Sequence, residues 1–332
     1  MERPPSKGVV LAAGSGVRLM PLTATRPKPM LPIAGKPLLE YNLDQLAAAG
    51  VREIIVLVPP NSEQVRQYFG PQFRGCDLIY AVQHEARGTG HALNAVRNAI
   101  GDEAFFCIFG DNLTTWPVAH LLRPHREVRA VATLALFHAL DPRRHGVVEL
   151  QGPTIRRIVE KPDHPPSDLA SAGMFIFEPQ IFEALSVIEP TSRGELELPN
   201  AIQHLITHHR TVAYEVLDEW RLNVNTPADM LEANHYLLCR NRPALSSPNV
   251  APSVIAAGDL RIEPGGVVGP CVSCGRGCVI GAGARVTESI LLDSVIIEAD
   301  AEVWRSILGG SVRVKAGASV RDQVVADNGV CG

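Results

Sequence analysis

VVLAAGSGVRLMPLTATRPKPMLPIAGKPLLE, residues 9–40, decides how this chain is read. An apolar run, Val9 to Leu11, empties into Ala12-Ala13-Gly14-Ser15-Gly16; Arg18 follows at once and Lys28 comes ten residues later among prolines. A strand that ends in a glycine turn exposes successive backbone N–H groups to a bound anion. Fixed cations beside it supply charge where a phosphate chain gains negative charge during reaction. The combination points to a triphosphate site. Two familiar phosphate loops do not fit it. Gly14-x-Gly16 has Leu19 where the dinucleotide fingerprint needs a third glycine, and no Gly-Lys-Ser/Thr makes a P-loop.

At 332 residues the chain is long for one core, so two domains are expected. Hydrophobic residues at 46% can fill such cores, and 20% charged residues are too few for a disordered chain. A formal net charge of −4 gives no general attraction to nucleic acid or to an anionic membrane, so basic residues at a phosphate site must act locally. No stretch approaches the length of about 18 apolar residues that spans a bilayer. Met1-Glu2-Arg3-Pro4-Pro5 lacks the apolar core of a signal peptide. A cytoplasmic location is expected. Seven cysteines are scattered without a disulfide framework. Cys271, Cys274 and Cys278 form C-x2-C-x3-C, but their repetitive setting favours small buried residues over metal ligands.

Short apolar runs suited to buried strands occur at Glu53–Val58, Asp77–Val82 and Ala104–Phe109, with further sheet material at Ala130–Phe137, Gly146–Leu150 and Met174–Phe177. Between them, Pro37–Ala49 and Gly90–Ile100 carry leucines and other aliphatics at helical spacing, and Pro227–Leu238 reads as a closing helix. Strands separated by helices predict an α/β, Rossmann-like domain with a mixed sheet and ligands at the carboxyl ends of its strands. The stretch Cys239–Pro252 is rich in proline, serine and asparagine and breaks this pattern. Beyond it Ile262, Val268, Cys274, Ile280 and Val286 recur every six residues; after a slip of one come Leu291, Ile297 and Val303, and after another Leu308, Val314 and Val320. A six-residue period with an aliphatic at one corner marks hexapeptide β-helix repeats, in which each coil buries its corner on the next. The expected division is 1–240 catalytic, 241–253 linker and 254–332 β-helix.

Taken whole, GSGxRLxPLTxxxPKPMLPIxGKPLLEY closely resembles the signature of the sugar-1-phosphate nucleotidylyltransferases, which make NDP-sugars from an NTP and a sugar 1-phosphate, and the terminal repeats resemble the left-handed β-helix often attached to them. The resemblance covers nearly all of residues 7–240. It implies that Leu11, Ala12, Ala13, Gly14, Ser15 and Gly16 line the nucleotide, with Arg18 on the NTP phosphates and Lys28 on the α- and sugar phosphates. Arg26 is left open between phosphate contact and surface. Asp111, in FGDN after an apolar run, resembles the Mg2+-binding aspartate. Where relatives read D-V-G-T-P the chain reads NVNTP, so Asn223, or else Asn225, stands as the second metal ligand. QHEARGTGHAL (83–93) resembles the base-reading segment through Gln83, Gly88 and Thr89, in a form most like uridylyl- and thymidylyltransferases. On the sugar side, His145-Gly146-Val147-Val148 resembles YGVV and Glu160-Lys161-Pro162 resembles EKP: Gly146 and Glu160 would line the sugar and Lys161 would grip its phosphate. Ser171 stands where relatives have the asparagine of NAG.

The resemblance therefore implies nucleotidyl transfer from dTTP or UTP to glucose 1-phosphate, or to N-acetylglucosamine 1-phosphate, assisted by Mg2+. Guanylyl transfer to mannose 1-phosphate shares RPKPMLPIAGKP, and a non-catalytic regulatory subunit of the same fold is the reading from another class. The repeats hold no histidine to serve as a base, so acetyltransferase activity is not expected of them. They read as an assembly module that makes the protein a homo-oligomer.

Overall fold

The computed structural model describes residues 4–60, 62–191, 194–241, 250–251 and 253–332. The chain forms two compact units, one of Met1–Gly14 with Tyr41–Arg221 and one of Ser15–Glu40 with Leu222–Gly332. The segment that carries the signature, residues 15–40, is thus grouped with the C-terminal repeats.

The first unit is built on a ten-stranded sheet. Across it the order is Gly146–Gln151, Thr154–Glu160, Val212–Val216, Ala132–His138, Leu169–Phe177, Phe105–Phe109, Lys7–Leu11, Glu53–Val58, Cys76–Val82 and Gln72–Phe73. Lys7–Leu11 runs parallel to both neighbours, setting Val9 beside Ile55 and Cys107. Leu169–Phe177 is antiparallel to both of its neighbours, so the sheet is mixed, as predicted. The central strands are near-continuous apolar runs, which suits strands covered on both faces. Val9, Ile55, Leu57, Phe105, Cys107, Phe175 and Phe177 lie buried in one core with Ile181 and Phe182 of the helix Gln180–Val187 and Leu198 and Ile202 of the helix Leu198–Thr207.

Three local readings change. The helix expected over Gly90–Ile100 is two, Thr89–Asn94 and Arg97–Ile100, because Val96 leaves helical geometry (φ −104°, ψ 5°) while its side chain stays 1% exposed in the core. The strand Thr154–Glu160 has no counterpart among the expected elements. Its buried Ile155 and Ile158 are separated by two exposed arginines, and its register with Gly146–Gln151 shifts between Glu149 and Leu150, which blurs any period of two. The helix expected at Pro227–Leu238 extends to Asn241. Cys239 and Arg240 are therefore helical, while residues 242–249 and 252 of the expected break lie outside the described residues.

In the second unit, three parallel sheets stack the C-terminal strands as the expected left-handed β-helix: one begins at Val254–Ala256, one at Leu260–Ile262 and one at Val267–Val268. Val254 pairs with Val272, eighteen positions on, but Ser273 pairs with Ile290 and Ile290 with Ile307, each seventeen on. The two slips in the hexapeptide pattern are thus one device repeated: after a first coil of eighteen residues, each later coil has seventeen, short by one at the same corner. At that corner the buried Ser289 and Ser306 replace an aliphatic contact with hydrogen bonds. Ser289 Oγ donates to Thr287 O and accepts from Ser306 N–H, and Ser306 Oγ accepts from Gln323 N–H in turn. Elsewhere the coils bury stacked aliphatics, Val268, Val286, Val303 and Val320 on one edge and Ile280, Ile297 and Val314 on another. Cys274 and Cys278 are buried there too, as expected of small core residues. Among the described residues no helix is long and apolar enough to cross a membrane.

Ile297 is fully buried between coils, so Ile297→Ala should remove about 2–5 kcal/mol of unfolding free energy. Urea unfolding followed by circular dichroism measures it, and a loss under about 1 kcal/mol would show that the coils do not depend on this stack.

Candidate active site

The signature segment forms no long helix or strand. After Ser15 it folds as three single turns, Val17–Leu19, Leu22–Ala24 and Lys28–Met30, anchored by fully buried Leu19, Leu22, Leu31 and Ile33. Gly16 has φ 66°, a conformation few side chains tolerate, and a Cβ there would come within 2.9 Å of the Thr23 methyl. Thr23 Oγ1 locks the turn by donating to Gly16 O at 2.9 Å. Arg18 is exposed. Lys28 is 9% exposed, and its Nζ donates to Asn225 Oδ1 at 2.9 Å. Asn225 is held in turn from the start of the helix Pro227–Asn241. Asp229 Oδ2 accepts from the N–H groups of Asn225 and Thr226 while Thr226 Oγ1 accepts from Asp229 N–H, a reciprocal cap.

Arg26 resolves differently from either alternative. Its Nη2 lies 2.5 Å from Asp327 Oδ2 in the last coil of the β-helix, and Thr25 Oγ1 donates to the same oxygen at 2.6 Å. Burial pushes the Asp327 carboxyl up, but hydrogen bonds from Thr25 and from Gly310 N–H, with the Arg26 charge, outweigh it and hold the group below its usual range. Arg26 is therefore a fastening for the segment.

In the first unit, Ala12 N–H is spent on Leu57 O, so among the expected loop residues the amides from Ala13 onward are those that can turn to a phosphate. Gly110 lets the end of Phe105–Phe109 press against this loop: a Cβ there would sit 2.7 Å from Ala12 Cα, and Gly110 N–H donates to Leu11 O. The next residue is Asp111, half-buried at the carboxyl end of its strand. Beside it lies a group that sequence reasoning missed. Arg221 sits with its guanidinium carbon 3.9 Å from the centre of the Phe137 ring, and its Nη2 donates to Asn112 Oδ1 at 3.3 Å. Burial pushes the Arg221 guanidinium down to about 10, against the pull of the Asp111 carboxylate. The residue remains charged at neutral pH. Its only sequence signal was position, directly before LNVN.

Gln83 ends the Cys76–Val82 strand, 8% exposed, with its Nε2 3.2 Å from His91 Nδ1. Gly88 and Gly90 admit the backbone of Leu196: a Cβ on Gly88 would collide with the Leu196 carbonyl, and Gly90 N–H donates to that oxygen at 2.7 Å. Thr89 Oγ1 donates to Glu197 Oε2 and accepts from Leu198 N–H, so its hydroxyl caps the following helix.

The two motifs expected on the sugar side come together through the sheet. Gly146 and Glu160 are register partners, and a Cβ on Gly146 would stand 3.2 Å from Glu160 Oε2. Lys161 takes φ 43° and pairs with Glu160 at 2.9 Å, and its N–H donates to His145 O. Burial first, then the charges of Arg221 and Arg144, lower the His145 imidazole, so it stays neutral at neutral pH. Ser171 lies at a bulge of Leu169–Phe177 that Gly173, at φ 74°, makes possible. Glu197, also unanticipated, is 4% exposed; burial, then Glu195 and the Glu160 charge, push its carboxyl up.

A family model described as nucleotidyl transferase matches residues 7–239. This chain belongs to that family. It is an enzyme of the nucleotidylyltransferase class, and residues 250–331 separately match a family described as the GMPPB C-terminal domain. It is 37% identical over 296 residues to a glucose-1-phosphate thymidylyltransferase of Streptomyces antibioticus, covering 88% of this chain and 78% of that protein. It is 38% identical over 235 residues to a UTP–glucose-1-phosphate uridylyltransferase of Haloferax volcanii, covering 70% of this chain and 96% of that one. A solved UDP-glucose pyrophosphorylase complexed with UDP-glucose superposes with a TM-score of 0.65 at 25% identity, over 71% of this chain and 99% of that chain. Family members of this kind work with a divalent metal. The carboxylate of Asp111 is a hard oxygen donor of the kind such an ion takes.

The Asp327 anchor has a pH signature. Its folded pKa is lowered, so the stability it contributes is complete above the ordinary carboxylate value of about 4 and is lost as pH falls through the lower folded value. Asp327→Asn should cost about 1–3 kcal/mol at neutral pH and flatten this acid limb. Thermal melts of both proteins across the acid range measure it; superimposable curves would remove Asp327 as an anchor.

Proposed function

We propose that this nucleotidylyltransferase joins dTTP or UTP to a sugar 1-phosphate, glucose 1-phosphate first and N-acetylglucosamine 1-phosphate second, releasing pyrophosphate. The observation that carries this reading is that relatives at 37% and 38% identity bear the names of a thymidylyl- and a uridylyltransferase that share glucose 1-phosphate. The sugar-1-phosphate oxygen attacks the α-phosphorus in line. It is already anionic, so the chain needs no strong general base, and its task is to position two mutually repelling anions and offset the charge that develops.

The exposed Arg18 takes the NTP phosphates and the departing pyrophosphate. Lys28, oriented by Asn225, takes the α- and sugar phosphates. The amides of Ala13 to Gly16 turn toward the phosphate chain, with Leu11 and Ala12 as its floor. Gln83, its amide oriented by His91, reads the pyrimidine edge, and Gly88 and Thr89 bring backbone up to the ring. Gly146 leaves room for the sugar, Glu160 accepts from its hydroxyls, Lys161 grips its phosphate, and Ser171 bounds the pocket for its 2-substituent.

Mg2+ is the divalent ion we assign, with Asp111 as its carboxylate. Asn223 is the second oxygen donor of this reading, with Asn225 as the alternative. When bound, such an ion neutralises charge on the phosphates. Arg221 holds the strand end that carries Asp111 through Asn112. We assign catalysis to residues 1–240 and self-association, in a cytoplasmic homo-oligomer, to the β-helix of 254–332.

Pyrophosphate release measured over a grid of dTTP, UTP, GTP, ATP and CTP against glucose, N-acetylglucosamine and mannose 1-phosphates tests the reading. Highest kcat/KM is expected with dTTP or UTP and glucose 1-phosphate; preference for GTP with mannose 1-phosphate would replace it, and silence with every pair would favour a regulatory subunit. Asp111→Ala should lower kcat about a thousandfold. Lys161→Ala should raise KM for the sugar phosphate about ten- to a hundredfold, with a much smaller change for the NTP. Sedimentation should give a species larger than the 35.8 kDa chain; a monomer at all concentrations would remove the assembly role.

A further inference from the structure

Apart from the oxygen-rich nucleotide residues, the second unit gathers three softer donors. His235 and Cys239 lie four positions apart on the helix Pro227–Asn241, a spacing that puts both on one face. Cys271 comes from the first coil of the β-helix. Cys239 Sγ is 3.0 Å from Cys271 Sγ and 3.6 Å from His235 Nε2, and all three donor atoms lie within 4.8 Å of one another. We propose that His235, Cys239 and Cys271 form a binding site for one zinc-type metal ion, which ties the last helix of the nucleotidyl transferase segment to the first coil of the β-helix.

Four features carry this. Two thiols and an imidazole are the borderline-soft donor set that zinc takes, and three protein ligands with water in the fourth position is a common zinc arrangement. The distances fit: zinc bonds of about 2.3 Å to sulfur and 2.0–2.1 Å to nitrogen place tetrahedral neighbours about 3.5–3.8 Å apart, so the thiols need to separate by less than about 1 Å. The backbone beneath the donors is fixed. Asn234, 1% exposed, donates from Nδ2 to Cys271 O at 3.3 Å and accepts from Ala34 N–H at 3.0 Å, pinning the helix face to the corner that carries Cys271.

The corner itself is the fourth feature. Cys271, Glu288, Arg305 and Asp322 occupy equivalent corner positions in successive coils, all at positive φ. The later three are charged, whereas the one that meets the helix is a cysteine, 3% exposed. From Val268 to Cys271 the chain also takes one residue more than from Val286 to Glu288, so the coil widens where the helix packs. A disulfide between Cys239 and Cys271 is the competing chemistry. It would require an oxidant and would leave the convergence of His235 without a purpose.

The test uses the full chain purified under reductant. Metal analysis should find about one zinc per chain. After stripping with a chelator, Co2+ should restore one equivalent with a thiolate-to-cobalt charge-transfer absorption that Zn2+ abolishes and excess Mg2+ does not. His235→Ala and Cys271→Ser should each weaken Zn2+ binding at least tenfold, while Cys331→Ser should not. His235 is exposed, so its loss leaves packing intact and keeps the test informative if Cys271→Ser folds poorly. Absence of a stoichiometric metal and of the cobalt band, or a Cys239–Cys271 disulfide in peptide mapping of metal-free protein, would overturn the site.

Discussion

Residues 15–40 carry the most chemically loaded part of the chain, yet little regular structure holds them in place. A cation that must meet a phosphate within hydrogen-bond distance cannot ride on a loose loop, because misplacement by about 1 Å forfeits much of the benefit of positioning. Here order comes from polar anchors far along the chain. Asn225 takes Lys28, Asn234 takes the Ala34 amide, and Asp327 takes Thr25 and Arg26. Asn225 stands just before the capped helix that begins at Pro227, Asn234 stands in the middle of that helix, and Asp327 stands in the last coil. The β-helix is therefore continuous, in contact terms, with the segment that gives the family its signature.

Charge is managed differently in the first unit. Arg221 is a cation removed from water, which costs free energy unless other groups replace hydration. The Phe137 face, Asn112 and the Asp111 carboxylate do so. Its charge adds to burial, the larger cause, in lowering the His145 imidazole, so an uncharged ring stands beside the Glu160–Lys161 pair. One guanidinium thus conditions two neighbouring motifs without being part of either.

What was legible in the sequence follows from the range of the interactions. Buried strands such as Glu53–Val58 and Phe105–Phe109 announce themselves because burial on both faces demands unbroken apolar runs. The β-helix announces itself because a stacked corner must recur. Motifs carried by neighbouring strands also survive: Gly146 opposite Glu160 is a local consequence of one hairpin. Long-range pairing was not legible. Nothing near Arg26 names Asp327, three hundred residues away, and the C-x2-C-x3-C spacing drew the eye to Cys274 and Cys278, which are core, and away from His235, before the expected break, and Cys239, at its start. The split of Gly90–Ile100 was hidden for a third reason: Val96 has the right spacing for a helix, but core packing holds it outside helical angles.

The seventeen-residue coil turns the length of the repeat region into a discrete variable. Each coil advances the stack by one strand spacing, about 4.8 Å. Asp327 meets Thr25 and Arg26 only from the rung it occupies, so a lineage that gained or lost one coil would carry the carboxylate a full rung past its partners. The repeat region then works as a ruler whose tick marks are whole coils, and its evolution by duplication is constrained at the far end by a single oxygen atom.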